Sequence, residues 1–206
     1  MTGASAPPSA VPSATTKAAA DVAPGATIRR ATADDARAIA QVRVDAWRAR
    51  YAGIVPAAYL AAMSADENAA QWRRILTAGP NTASVFVADD GASVAGFASG
   101  HVLAEQKHGF DAELSAIYLR RDRQRAGTGR RLVAAVAAAQ REHGARGLLT
   151  WVIAANRGAR AFYERLGAAL VLERPFQWDG LDLIEVAYGW RDLDALAAAS
   201  ARSPRQ

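Results

Sequence analysis

Residues 113–119 read ELSAIYL and residues 120–132 read RRDRQRAGTGRRL. The first piece predicts a strand that opens on a carboxylate, Glu113. The second predicts a loop carrying Gly127 and Gly129, followed by a helix. Glycine lets backbone approach a ligand closely. Free N–H groups at a helix start point at whatever lies there, and the helix dipole favours an anion. Six arginines surround this loop: Arg120, Arg121, Arg123, Arg125, Arg130 and Arg131. A phosphate-bearing ligand is the expected guest. Two phosphate loops are excluded. A P-loop needs lysine and then serine or threonine after its last glycine, and Arg130 follows Gly129. The dinucleotide fingerprint needs a third glycine at 132, which is Leu132.

On either side of this stretch the pattern alternates. Ala26–Arg30 predicts a short strand, and Thr32 with Asp35 predicts the capping box of a helix carrying Ile39, Val42, Val44 and Trp47. A second helical stretch is expected from about Pro56 to Leu76. Strands are expected over 84–89, 94–103 and 112–119, with Asp90-Gly91 as a turn. A helix over 132–143 is stopped by Gly144, and LLTWVI at 148–153 reads as a buried strand. A helix over 159–166 ends on Gly167. Asp179-Gly180 between two apolar runs, 169–178 and 181–190, predicts a closing hairpin. The order β-α-α-β-β-β-α-β-α-β-β describes one mixed α/β layer rather than two domains.

The chain has 206 residues, enough for a core without staples. Its 51% hydrophobic content is inflated by alanine, roughly a quarter of all residues. Cysteine is absent, which excludes a disulfide scaffold, a thiolate metal site and a cysteine nucleophile. His101, His108 and His143 share no metal-ligand spacing, so no metal is expected. No run of 18 charge-free apolar residues occurs, which argues against a membrane span. Residues 1–25, rich in Ala, Ser, Thr and Pro, read as a disordered tail, and residues 197–206 as a flexible end, around a domain at 26–196. No signal-peptide pattern opens the chain, so the expected location is cytoplasmic. The formal net charge of +5 is concentrated: residues 119–131 carry six Arg and one Asp, Arg202 and Arg205 add two, and the rest outside the neutral tail sums to −2. That distribution points to one anionic ligand and away from nucleic acid as primary partner; aromatics do not interleave with the basic run.

Gln124-x-x-Gly127-x-Gly129, set between a strand and a helix, resembles the pyrophosphate loop of the GCN5-related N-acetyltransferase (GNAT) family. Asn156-x-x-Ala159-x-x-Phe162-Tyr163-x-x-Leu166-Gly167 is similar to the family's second signature. Residues 47–56, WRARYAGIVP, and 185–193, EVAYGWRDL, resemble the first-helix region and the close of many bacterial members. Arg121 stands where many members have proline, and Thr128 where a larger apolar residue is common.

The resemblance implies a fold and a site. The fold is a central mixed β-sheet of about six to seven strands flanked by helices, with a splayed pair of parallel strands. Those strands would be 112–119 and 148–153, holding acetyl-CoA between them. The pantetheine arm would pair with backbone at Ile117, Tyr118 and Leu119, and the pyrophosphate would rest on Gln124, Arg125, Ala126, Gly127, Thr128, Gly129 and Arg130. Asn156 and Phe162 would also contact the cofactor. Glu113 is the implied base, with His101 an alternative, and Tyr163 is the implied acid. Tyr51 and Trp47 would line the acceptor pocket. Each residue has a plainer reading: Glu113 as a charged strand end, Tyr163 and Trp47 as core aromatics, Asn156 as a helix cap. The implied activity is direct transfer of acetyl from acetyl-CoA to a primary amine of a small molecule, a peptide or a protein, by a monomer or homodimer. The alternative is an acyl-CoA-binding sensor or partner subunit without turnover.

Overall fold

Alternating apolar positions along the expected strands give a sheet that is covered on both faces. The computed structural model describes residues 26–78, 83–178 and 180–198. The expected tail at 1–25, Asp179 of the closing turn, and residues 199–206 lie outside the described residues.

Seven strands form the sheet: β1 (Thr27–Arg30), β2 (Ser84–Asp89), β3 (Val94–Lys107), β4 (Phe110–Leu119), β5 (Leu148–Ile153), β6 (Ala169–Trp178) and β7 (Leu181–Trp190). Their order is β1-β2-β3-β4-β5-β7-β6. Only β4 and β5 run parallel; every other neighbouring pair is antiparallel. The helices are α1 (Ala36–Arg50), α2 (Ala57–Ala62), α3 (Ala65–Thr77), α4 (Thr128–Glu142), α5 (Arg157–Arg165) and α6 (Leu193–Ala198). Among the described residues, no helix is long and apolar enough to cross a membrane.

The period-2 alternation splits the core in two. On one face Val85, Val87 and Phe97 meet Ile39 of α1 and Trp72 of α3. On the other, Ala98, Leu114 and Leu148 meet Leu132, Val133 and Val136 of α4. Asp35 does accept the Thr32 backbone N–H at 2.8 Å, as the capping-box pattern predicted. It is held from the other side by Arg29, whose hydrogen bonds and charge keep its carboxyl below the usual range.

Several expectations need correction. The single helix over 56–76 is two, α2 and α3, because Ser64 starts a new one: its hydroxyl accepts from Glu67 N at 3.2 Å. β3 continues past residue 103 to Lys107 and turns directly into β4. His108 and Gly109 both have positive φ, 53° and 81°, which suits a two-residue hairpin loop. Helix α4 begins at Thr128, four residues before the expected Leu132. Helix α6 follows β7 and was not expected; Leu193 and Leu196 bury its inner face.

Candidate active site

The parallel strands β4 and β5 pair only at Ala112↔Leu148 and Glu113↔Leu149. Beyond those two pairs they diverge. β5 is tied along its whole length to β7, while β4 follows β3. The divergence begins where β4 carries an extra residue: Leu114 faces Gly100 and Ala116 faces Ser99, so Ser115 is unpaired. A bulge of this kind bends its strand and raises the local twist. The Thr150 hydroxyl of β5 donates across the start of the gap to the Leu114 carbonyl at 3.0 Å. Past it, among the described residues, the β4 edge at Ala116–Leu119 meets no partner strand on the β5 side.

At the far end of β4 the chain enters the arginine loop. Arg125 and Gly127 have positive φ, 67° and 78°. Two left-handed residues so close together turn successive N–H groups toward one side, a concavity suited to an anion. Among the described residues, the backbone N–H groups from Arg125 to Gly129 have no backbone acceptor; the first bond of α4 is Arg131 N to Gly127 O at 3.2 Å. The cation cluster is less free than the sequence implied. Arg120 is held by Asp122 and by Ser93, Arg123 by Asp90, and Arg131 donates to the Ala26 carbonyl. Gln124 braces the loop: its Nε2 donates to Leu119 O at 3.3 Å and its Oε1 accepts from Arg50 at 3.4 Å. Gly129 lies inside the first turn of α4, not in the loop. A Cβ there would stand 3.2 Å from the Phe162 ring, so this glycine and Phe162 answer to each other. Thr128 is buried at the helix start despite its departure from the common pattern.

Three tyrosines converge on the gap. Tyr163 of α5 is 5% exposed, with Phe162, Tyr188 and Trp190 around its ring. Burial pushes its phenol up to about 12, opposed by a hydrogen bond with Thr150. The Tyr118 hydroxyl of β4 accepts from Trp47 Nε1 at 2.9 Å, and burial drives its phenol far above the ordinary value. Tyr51, after α1, accepts from Asn156 Nδ2 at 3.4 Å; burial raises its phenol too. Asn156 uses its other side-chain atom to cap α5, accepting from Ala159 N at 3.1 Å. The capping reading therefore holds, and the cap leaves the amide nitrogen for Tyr51. Trp47 and Tyr51 pack 4.7 Å apart, beside Tyr59 and Trp178.

Glu113 sits at the vertex, half-buried, opposite Leu149 on β5 and His101 on β3. His101 Nδ1 and Ser115 Oγ are 2.9 Å apart. Both face a cavity of about 720 Å³ between α1, α3 and the strands, bounded also by Arg43, Trp47, Arg74 and Tyr118. The sequence reading missed Thr150, Ser115, Arg43, Arg74 and Arg50. Arg50, Ser115 and Thr150 lie within stretches read above, at 47–56, 113–119 and 148–153, but their residue types carry no signal there; strand register and helix packing bring all five here. Among the described residues, no group of three or more His, Asp or Glu side chains could hold a metal.

Comparison with known proteins agrees with this geometry. Residues 41–168 match the model of the acetyltransferase (GNAT) family. An uncharacterised N-acetyltransferase of Bacillus subtilis (strain 168), YuaI, is 40% identical over 171 residues, 82% of this chain and 95% of its own. The PaiA N-acetyltransferase of Thermoplasma acidophilum, solved with coenzyme A, shares the fold at TM-score 0.60 and 20% identity, over 78% of this chain and 96% of its own. YncA from Salmonella typhimurium, solved with acetyl-CoA, shares it at TM-score 0.59 and 19% identity, over 82% and 94%.

Proposed function

The chain belongs to the GNAT acetyltransferase family, and from that premise we propose that it moves an acetyl group from acetyl-CoA directly onto a primary amine, with both substrates bound together. The observation that carries this reading is the gap between β4 and β5, which runs from the Glu113 vertex to the open N–H groups of the arginine loop.

The loop holds the pyrophosphate. Its N–H groups, the start of α4 and the charge of Arg121 and Arg125 favour an anion there. The free β4 edge at Ile117, Tyr118 and Leu119 pairs with the amide-bearing arm, as an added strand would. Asn156 and Phe162 bound the arm from α5. Tyr51 and Trp47 face the acceptor.

Transfer needs three proton and charge adjustments. An alkylammonium has a pKa near that of lysine, about 10, so the amine must first lose a proton. Glu113 takes it, directly or through water. His101 is the second reading, favoured by its place on the cavity wall and its bond to Ser115. The neutral amine nitrogen then forms a bond to the acetyl carbon, the carbon–sulfur bond breaks with its electron pair going to sulfur, and the second proton shed by nitrogen passes to the departing thiolate or to solvent. A backbone N–H near Tyr118 or Leu119 steadies the negative oxygen during this exchange. Tyr163 faces the leaving sulfur with its proton. With no cysteine in the chain, no acyl group passes through a protein thiol.

The test is a titration with acetyl-CoA beside a thiol-release assay over a panel of amines. Binding together with release on at least one amine supports the proposal. Binding with no release on any amine would instead support an acyl-CoA-binding sensor.

A further inference from the structure

We infer that the acceptor is a small amine that also carries a carboxylate, such as an amino acid. The inference rests on the acetyltransferase reading and extends it to the substrate class. Among the described residues, the cavity beside the gap has two arginines in its wall and no aspartate or glutamate. Arg43 of α1 donates to Asn68 Oδ1 and lies 5.6 Å from the centre of the Trp47 ring. Both partners are neutral, so its charge is not cancelled. Arg74 of α3 has no carboxylate partner among the described residues, whereas Arg29, Arg37, Arg120, Arg123, Arg141 and Arg174 each do.

The opposite wall is polar and carries no arginine. His101 and Ser115 face the cavity from the sheet, and Glu113 stands beside His101 in the β3–β4 register, just outside the lining. The cavity is therefore cationic on its helix side, and its sheet side borders a carboxylate at the vertex. An ammonium directed to the sheet and a carboxylate directed to the helices match that arrangement. Guanidinium groups grip carboxylates through paired N–H bonds. The same charges disfavour a second ammonium in the cavity, which excludes polyamines. They also favour loss of the acceptor's own proton, the step that must precede attack. Trp72, beside them in the lining, offers an apolar wall for a side chain.

The experiment uses the full chain and matched acceptors: phenylalanine with phenethylamine, methionine with 3-(methylthio)propylamine, and 4-aminobutyrate with butylamine, with spermidine as the polycation. Thiol release from acetyl-CoA gives kcat and KM for each. The expected result is a kcat/KM at least tenfold higher for the acid in one or more pairs, with no turnover of spermidine. Arg74→Gln and Arg43→Gln should shrink that preference at least fivefold, through KM. Arg74 is exposed, so its variant tests binding without disturbing the core. Equal or better turnover of the amines, or an unchanged preference in both variants, would each overturn the inference; silence of the whole panel while acetyl-CoA binds would overturn the acetyltransferase reading and the inference with it. Failure to bind acetyl-CoA at all would overturn the acetyltransferase reading beneath it.

Discussion

Replacing Tyr163 by phenylalanine removes one oxygen and leaves the ring in its place. The ring is fixed by Phe162, Tyr188 and Trp190, with centroids at 5.5, 6.0 and 5.8 Å, so the fold should hold. Thr150 keeps its own bond to the Leu114 carbonyl. The magnitude follows from the phenol's basicity. Burial pushes it up to about 12, so the proton is retained throughout the working range. A thiolate of cysteine-like basicity titrates near 8.5, about 3.5 units lower, so full proton transfer from Tyr163 runs uphill by about 5 kcal/mol. The residue therefore acts as a hydrogen-bond donor to the developing thiolate. A bond to a charged group contributes about 1.5–3 kcal/mol, which predicts a fall in kcat of about 10- to 150-fold. Steady-state thiol release gives kcat, and an acetyl-CoA titration should give a Kd within threefold of the parent. The sign of the pH effect follows too: the donor is lost only as pH rises through its raised value, so wild-type kcat should show no alkaline fall below pH 10 from this group. An unchanged kcat would make Tyr163 structural. A loss well beyond a thousandfold would refute the hydrogen-bond argument in favour of full transfer.

Gly127→Val puts a β-branched side chain at φ 78°; nothing lies within 4 Å of the new Cβ, so backbone strain of about 1–2 kcal/mol acts alone. Acetyl-CoA affinity should fall on the order of tenfold by titration, and an unchanged Kd would remove the loop from cofactor binding. Glu113→Gln should lower kcat at least tenfold in thiol release with Kd for acetyl-CoA unchanged; if His101→Gln shows the larger loss instead, the base is His101. Gly189→Ala brings a Cβ to 2.2 Å from the Phe110 ring, and overpacking of about 1–3 kcal/mol should lower Tm by about 2–12 °C. Recovery in Gly189→Ala with Phe110→Leu would confirm the clash; an unshifted Tm in the single variant would refute it.

Much of the site was legible in short stretches. Loop and helix start are local matters: Gly127 takes the positive φ its residue type allows, and Asn156 caps the helix that follows it. The hairpin signal Asp179-Gly180 placed β6 and β7 correctly. His108-Gly109 is an equally local turn but a weaker signal than Asp-Gly, because positive φ is uncommon for any non-glycine residue, histidine included. The split at Ser64 escaped because apolar periodicity runs on across the break, while a serine cap is a weaker signal than the period.

By itself the sequence determined the order of the seven strands and the helices between β4 and β6, the glycine and asparagine positions of the two motifs, and the concentration of positive charge in residues 119–131. All of these depend on residue type and near neighbours. Only the tertiary structure decided how much of that charge is left for a ligand, because Asp90, just after β2, and the Ala26 carbonyl, just before β1, reach the loop from far along the chain. It alone set Thr150 against Leu114 across the diverging strands and brought Arg43 and Arg74 from two helices to one cavity opposite His101. Such pairings are fixed by strand register and helix packing between residues far apart in the chain, and no short run of sequence encodes them.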